Sequence, residues 1–93
     1  MREVKELNKN HVGLLLGGIM ALWHLAWSTL VFLGFAKVLI DWILWLHFIN
    51  ISVVIEPFDL VRATLLVIVT FVVGYVFGWV AAWLWNALIK RSK

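Results

Sequence analysis

The sequence predicts an all-α membrane protein, a transmembrane helical hairpin of two spans joined by a tryptophan-rich interfacial or re-entrant helix. Two observations carry this prediction. Residues 63–85 contain no charge and no proline over a length that can cross a bilayer. In addition, 65% of the 93 residues are hydrophobic and 14% are charged. A soluble chain of this size cannot bury so much apolar surface, because small domains leave a large share of their surface exposed.

The first span is predicted at residues 12–36, which are apolar and rich in glycine. A helix of this length reaches roughly 37 Å, more than a hydrocarbon core of about 30 Å, so some tilt is allowed. The run is too long for the apolar part of a signal peptide, and we expect it to be retained. Residues 1–11 are polar and mixed in charge and are expected to form a cytoplasmic tail, with Asn8 or Asn10 as the N-cap.

Residues 37–56 are predicted to lie on the outer side between the spans. Their polar side chains occupy about half of a helical wheel and tryptophans and leucines fill the rest, a pattern typical of a helix in the headgroup layer. A short third span or a re-entrant segment is the alternative, although polar groups in lipid are costly. The residues expected at one interface or the other are Asp41, Trp42, Trp45, His47, Arg62, Trp83 and Trp85.

The second span is predicted at residues 57–90, because Pro57 suits the first position of a helix and no later proline interrupts it. One helical turn separates Lys37 from Asp41, and Arg62 follows Asp59 by three residues, so each pair can form an ion pair. Basic residues concentrate at the two ends of the chain, including the tail at residues 91–93. The positive-inside rule therefore places both termini in the cytoplasm, which requires an even number of spans.

Small residues recur at four-residue spacing in both spans, most clearly in the two glycine pairs. Helices associate in lipid by close backbone approach and hydrogen bonding, because lipid provides no hydrophobic driving force between them. The two strips predict an intimate antiparallel hairpin, self-association, or both. The residues assigned to helix packing are Gly13, Gly17, Ala21, Ser28, Thr70, Gly74, Gly78, Ala81 and Ala82.

The residue that raises a functional question is His24, which falls near the middle of the first span on its small-residue face. An ionisable group at that depth is expensive and usually faces the protein interior. The structural interpretation is a neutral histidine that hydrogen-bonds to Ser28, Thr29 or Thr70. The functional interpretation is a proton-, metal- or haem-linked site, or a pore-lining ring in an oligomer.

Other chemical functions find little support in the sequence. The chain has no cysteine and no histidine spacing typical of a metal motif, so we expect neither a bound metal nor a cofactor. It shows no nucleophile–base set and no phosphate-binding loop, so we do not expect an enzyme. The net charge of +3 comes from the two ends rather than from a basic patch with aromatic residues, which argues against nucleic acid as a partner.

Three further stretches stand out: Leu7, Asn8 and Lys9 before the span with Gly13 and Gly17, the run LHFINI before Pro57, and GYVFGWVAAWLWN at residues 74–86. In these stretches the chain resembles small two-helix membrane proteins of prokaryotes that are described only as uncharacterised. The resemblance implies a two-span topology in the cytoplasmic membrane and supplies no activity.

We therefore expect a structural or accessory membrane protein that acts through helix–helix assembly. Its partners would be the lipid bilayer, further copies of the same chain, and other membrane proteins. The alternative is a homo-oligomeric channel or transporter unit with His24 on its pathway. A haem- or metal-binding protein that uses the same histidine ranks third.

Overall fold

The computed structural model describes residues 5–92, and this part of the chain folds into three α-helices. Helix α1 spans Lys9–Leu33, α2 spans Ala36–Leu46 and α3 spans Leu60–Ser92. The two long helices, α1 and α3, pack side by side in opposite directions, and the short α2 contacts α1 but not α3. The result is an elongated all-helical hairpin with extents of 52 × 33 × 19 Å. The predicted tails at 1–11 and 91–93 fall partly outside the described residues.

Helix α1 begins and ends about three residues earlier than the predicted 12–36. Asn8 is the N-cap, because its side-chain oxygen accepts the backbone N–H of His11 at 3.1 Å. At the other end, Gly34 adopts the left-handed conformation with φ 87°, and its N–H bonds back to the last turn. This glycine stops the helix, so that Ala36 belongs to α2 rather than to the first long helix.

Replacing Gly34 with alanine should destabilise the fold by about 1 kcal/mol, because an L side chain is strained at this φ. Nothing lies within 4 Å of the position that the new Cβ would take, so steric contact adds nothing to the backbone strain. The loss can be measured by titrating the purified protein with sodium dodecyl sulfate and following tryptophan fluorescence. An unchanged midpoint would show that the turn does not depend on glycine.

Helix α2 is too short to be a third span. Its 11 residues extend about 16 Å, roughly half of a hydrocarbon core. The predicted ion pair is present on it, with Lys37 Nζ 2.8 Å from Asp41 Oδ2. After His47 the chain turns through Phe48, which has a φ of 61° and is 99% exposed. Residues 49–59 contain no helix or strand.

Helix α3 begins at Leu60, so the prediction that it begins at Pro57 is wrong. Asp59 acts as the cap: its carboxylate accepts the N–H of Val61 at 3.0 Å, and its carbonyl accepts the N–H of Ala63 at 2.9 Å. The first backbone N–H groups of a helix have no partner within the helix, and a capping side chain accepts a hydrogen bond from one of them, which a proline side chain cannot do. The helix ends with Lys90 and Arg91 in its last turn, where cations offset the helix dipole.

The two long helices are apolar on all sides but buried on only one. Both are long and apolar enough to cross a membrane by length and composition. Within their most apolar windows, however, only 11% of α1 and 17% of α3 is buried inside the hairpin. Trp23 is 70% exposed and Phe77 is 69% exposed. The fully buried positions are instead small residues, such as Ala82 at 0% exposure.

Candidate functional site: the helix seam and its two ends

The surface along which α1 and α3 meet, called the seam below, centres on the two glycine pairs. A Cβ placed on Gly74 would lie 2.7 Å from the carbonyl oxygen of Leu16 and 2.9 Å from the Cα of Gly17. A Cβ on Gly78 would lie 2.6 Å from the carbonyl oxygen of Val12 and 3.0 Å from the Cα of Gly13. The backbones are therefore in direct contact, which only glycine permits at these positions.

Aromatic rings of α3 cover the glycines of α1. A Cβ on Gly13 would meet the Tyr75 ring at 2.9 Å, and one on Gly17 would meet the Phe71 carbonyl at 2.8 Å and its ring at 3.2 Å. These two rings stack with centroids 6.4 Å apart. The glycines of α1 therefore lie against aromatic rings of α3, and the glycines of α3 lie against backbone atoms of α1. Gly18, by contrast, has nothing within 4 Å of its Cβ position.

The other residues assigned to helix packing divide between the seam and the outer surface. Ser28 is buried, while Ala21 and Thr70 are half-buried. The Thr70 hydroxyl donates to carbonyls of its own helix, at 2.7 Å to Leu66. Ala82 is fully buried, whereas Ala81 is exposed on the hairpin, so its assignment to helix packing stays a prediction. The buried positions of α3 from Gly74 to Asn86 recur at every fourth residue, and this row runs oblique to the helix axis.

His24 is half-buried and hydrogen-bonds within its own helix. Its Nδ1 lies 2.8 Å from the carbonyl oxygen of Met20, so the predicted bonds to Ser28, Thr29 or Thr70 are replaced by this one. A carbonyl only accepts, so Nδ1 carries a proton and donates this bond. Within residues 5–92, no group of three or more His, Asp or Glu side chains could hold a metal ion.

The end of the seam near the termini is closed by Asn86, which the sequence did not single out. Its Oδ1 accepts the N–H of Leu7 at 2.7 Å, and its Nδ2 donates to the carbonyl of Leu7 at 2.9 Å. Asn86 is 9% exposed. One amide thereby satisfies both backbone groups of a residue that precedes α1, much as a neighbouring strand would.

Further contacts hold the segment at residues 5–10 along α3, and together with the Asn86 bonds they are called the clamp below. The Trp85 indole donates to the carbonyl of Lys5 at 3.3 Å. Three more contacts complete the clamp: the Tyr75 hydroxyl to Asn10 Oδ1 at 2.6 Å, Lys9 Nζ at 5.4 Å from the Trp79 ring centroid, and Lys90 Nζ at 3.8 Å from Glu6. The clamp gathers the basic end of the molecule around aromatic side chains.

The residues predicted to lie at the interfaces are exposed at the two ends of the hairpin. Arg62 pairs with Glu56, through Nη1 and Oε1 at 2.8 Å, rather than with Asp59 as predicted, because Asp59 caps α3. His47 Nδ1 lies 2.6 Å from the Ile43 carbonyl of its own helix. Asp41, Trp42 and Trp45 are exposed on α2, and Trp83 and Trp85 are exposed near the end of α3.

No family model matches this sequence, and no curated protein or solved structure is similar enough to count as a match. The resemblance to small prokaryotic two-helix proteins therefore stays a prediction.

Proposed function

We propose that this chain is an integral protein of a prokaryotic cytoplasmic membrane that crosses the bilayer twice and acts through helix–helix assembly, without enzymatic activity. The observation that carries the proposal is the exposure of large apolar side chains around both long helices. Water would penalise this surface by about 25 cal/mol for each Å² of apolar area, whereas lipid does not. This exposed apolar surface supports insertion in a membrane.

The charges support one orientation of the hairpin in the membrane. Lys5, Lys9, Lys90 and Arg91 gather at the clamp end, while the opposite end pairs its cations with carboxylates. The positive-inside rule places the clamp end in the cytoplasm. Helix α2 then lies at the outer surface, with Trp42 and Trp45 in the headgroup layer.

The geometry of the seam bears on how assembly would occur. Both glycine strips are occupied within the chain, so copies cannot use them to associate unless the hairpin opens. Assembly would therefore use the outer faces, where rings such as Trp23 and Phe77 are available to pack. Analytical ultracentrifugation in a density-matched detergent tests this: we expect an oligomer whose mass falls on dilution. A monomer at every protein-to-detergent ratio would contradict self-assembly.

A channel or transporter unit is the second proposal, and it is favoured by one specific feature of His24. The bond from Nδ1 to the Met20 carbonyl orients the ring near the middle of the span, and Nε2 is the nitrogen that can exchange a proton with a pathway. A haem or metal site through Nε2 ranks third, since backbone bonds of this kind also orient ligand histidines.

Replacing His24 with alanine separates these roles. Under the assembly proposal, the oligomeric mass stays the same, because the ring bonds only to its own helix. Under the channel proposal, proton flux into liposomes that contain the protein falls to the level of empty liposomes. A Soret band in the wild-type protein that the variant lacks would support the haem site, and both readouts unchanged would exclude the two alternatives.

A further inference from the structure

At the end opposite the clamp, a cleft of about 370 Å³ lies between α1, the beginning of α3 and the segment at residues 54–58. Trp27 and Val31 of α1 and Leu66 of α3 line it as an apolar wall. Glu56, Asp59 and Arg62 also line it. The charged groups lie at the end of the hairpin, and Leu66 lies one helical turn, about 6 Å, further along α3. The cleft therefore changes from charged to apolar along the direction of the helices.

The cleft contains three charged groups, the carboxylates of Glu56 and Asp59 and the guanidinium of Arg62. Arg62 and Glu56 form an exposed ion pair at 2.8 Å, with 62% and 63% of their side chains accessible. That pair uses one of the five guanidinium N–H donors, and the others can bind a phosphate. The carboxylates can accept hydrogen bonds from a primary ammonium group. A ligand that carries one phosphate and one ammonium would match this set, whereas an anion without a cation would meet net negative charge.

We propose that this cleft binds the headgroup of a phospholipid with a primary amine, the phosphoethanolamine class, with the acyl chains leaving along the apolar wall. The inference rests on the proposed insertion in a membrane, which would place the charged mouth at headgroup level. Arg62 holds the phosphate, and Glu56 and Asp59 accept the ammonium N–H groups. The apolar wall of Trp27 and Leu66 meets the first carbons of the chains.

Loss of Arg62 and loss of Glu56 should change lipid binding in different ways. Phosphate is common to all phospholipids, so Arg62 should affect binding of every phospholipid, whereas Glu56 should affect only the preference for a primary ammonium. The full-length protein in a mild detergent is incubated with an equimolar mixture of phosphatidylethanolamine and phosphatidylcholine with identical acyl chains. Native mass spectrometry then gives the ratio of the two bound lipids. We expect the wild type to favour phosphatidylethanolamine by about threefold, the size of one net hydrogen bond from the ammonium N–H groups that phosphatidylcholine lacks. Glu56→Gln should move the ratio toward one, because it weakens one of the two acceptors of the ammonium, and Arg62→Gln should lower binding of both lipids.

The ion pair on α2 provides the matched controls. Lys37 and Asp41 form an equally short and exposed pair outside the cleft, so Lys37→Gln and Asp41→Asn should leave lipid binding unchanged. A wild-type ratio of one would overturn the proposal, and so would an Asp41→Asn variant that loses preference as much as Glu56→Gln. The proposal is also overturned if Arg62→Gln reduces the oligomeric mass without reducing lipid binding, because a second copy would then occupy the cleft.

A second experiment needs no variant, so it does not depend on whether the substitutions fold. Successive N-methylation of the phosphatidylethanolamine amine keeps the charge but removes N–H donors one at a time, and bound lipid should fall with each methyl group. Equal binding across the series would contradict the proposal. If the protein is inserted in the bilayer and binds all lipids of the methylation series equally, only the proposal of headgroup binding in the cleft is refuted. If the protein is not inserted, the proposed function fails as well.

Discussion

Replacing Gly78 with alanine should destabilise the hairpin by about 1–3 kcal/mol, the cost of inserting a methyl group where there is no room. The new Cβ would lie 2.6 Å from the Val12 carbonyl oxygen and 3.0 Å from the Gly13 Cα. Both neighbours are backbone atoms of α1, so no side chain can rotate away and the helices must separate. Gly78→Leu should have a larger effect, because it forces the whole seam apart.

Gly18→Ala is the matched control for this prediction. Gly18 lies on α1 next to a seam glycine, but nothing stands within 4 Å of its Cβ position. The substitution should be neutral, or slightly stabilising because alanine favours the helix by about 0.5–1 kcal/mol. The free energy of unfolding can be measured for both variants by sodium dodecyl sulfate titration with circular dichroism. Equal stability of Gly78→Ala, Gly18→Ala and the wild type would show that the helices are not in contact along the glycines.

Replacing Asn86 with leucine should release the segment before α1 and cost about 1–3 kcal/mol, because two hydrogen bonds worth about 0.5–1.5 kcal/mol each are lost. These bonds join Asn86 to the N–H and carbonyl of Leu7, at 2.7 and 2.9 Å. Hydrogen exchange measured by mass spectrometry should show faster exchange in a peptide that includes Leu7. Peptides from the middle of α3 should be unaffected.

Asn86→Asp isolates half of this interaction. Aspartate keeps the acceptor for the Leu7 N–H but removes the donor to its carbonyl, so exchange should rise less than with leucine. Asn50→Leu serves as a control for the loss of an amide, since Asn50 is exposed in the segment after α2. If Asn86→Leu leaves exchange at Leu7 unchanged, the bonds to Asn86 do not hold the segment.

The sequence was sufficient to predict the two long helices and most of the residues at which they touch. Small residues at four-residue spacing indicate close contact between helices. The predicted row Gly74, Gly78 and Ala82 is buried, and Asn86 continues it by one further step of four residues. Asn86 was not assigned to helix packing because the row was defined by small side chains. Extending the same row by one step would have identified Asn86.

The helix ends were harder to predict, because neighbouring residues can each cap or begin a helix and the sequence does not show which of them does so. Pro57 is a good first residue for a helix, but Asp59 provides a side-chain acceptor two positions later and sets the start at Leu60. This choice also turned Arg62 toward Glu56. The clamp could not be predicted, since it joins residues about 80 positions apart through bonds such as that between Trp85 and Lys5. Only the fold of the hairpin brings them together.

The measurement that tests the central proposal most directly is the lipid accessibility of α3. The chain has no cysteine, so a single spin label can be attached through Phe77→Cys, a position 69% exposed on the outer surface of the hairpin. In liposomes, electron paramagnetic resonance should show that this label collides readily with oxygen and rarely with a water-soluble nickel complex. A label at Asn50→Cys should show the opposite. If the label at position 77 collides freely with the nickel complex, α3 does not cross the membrane.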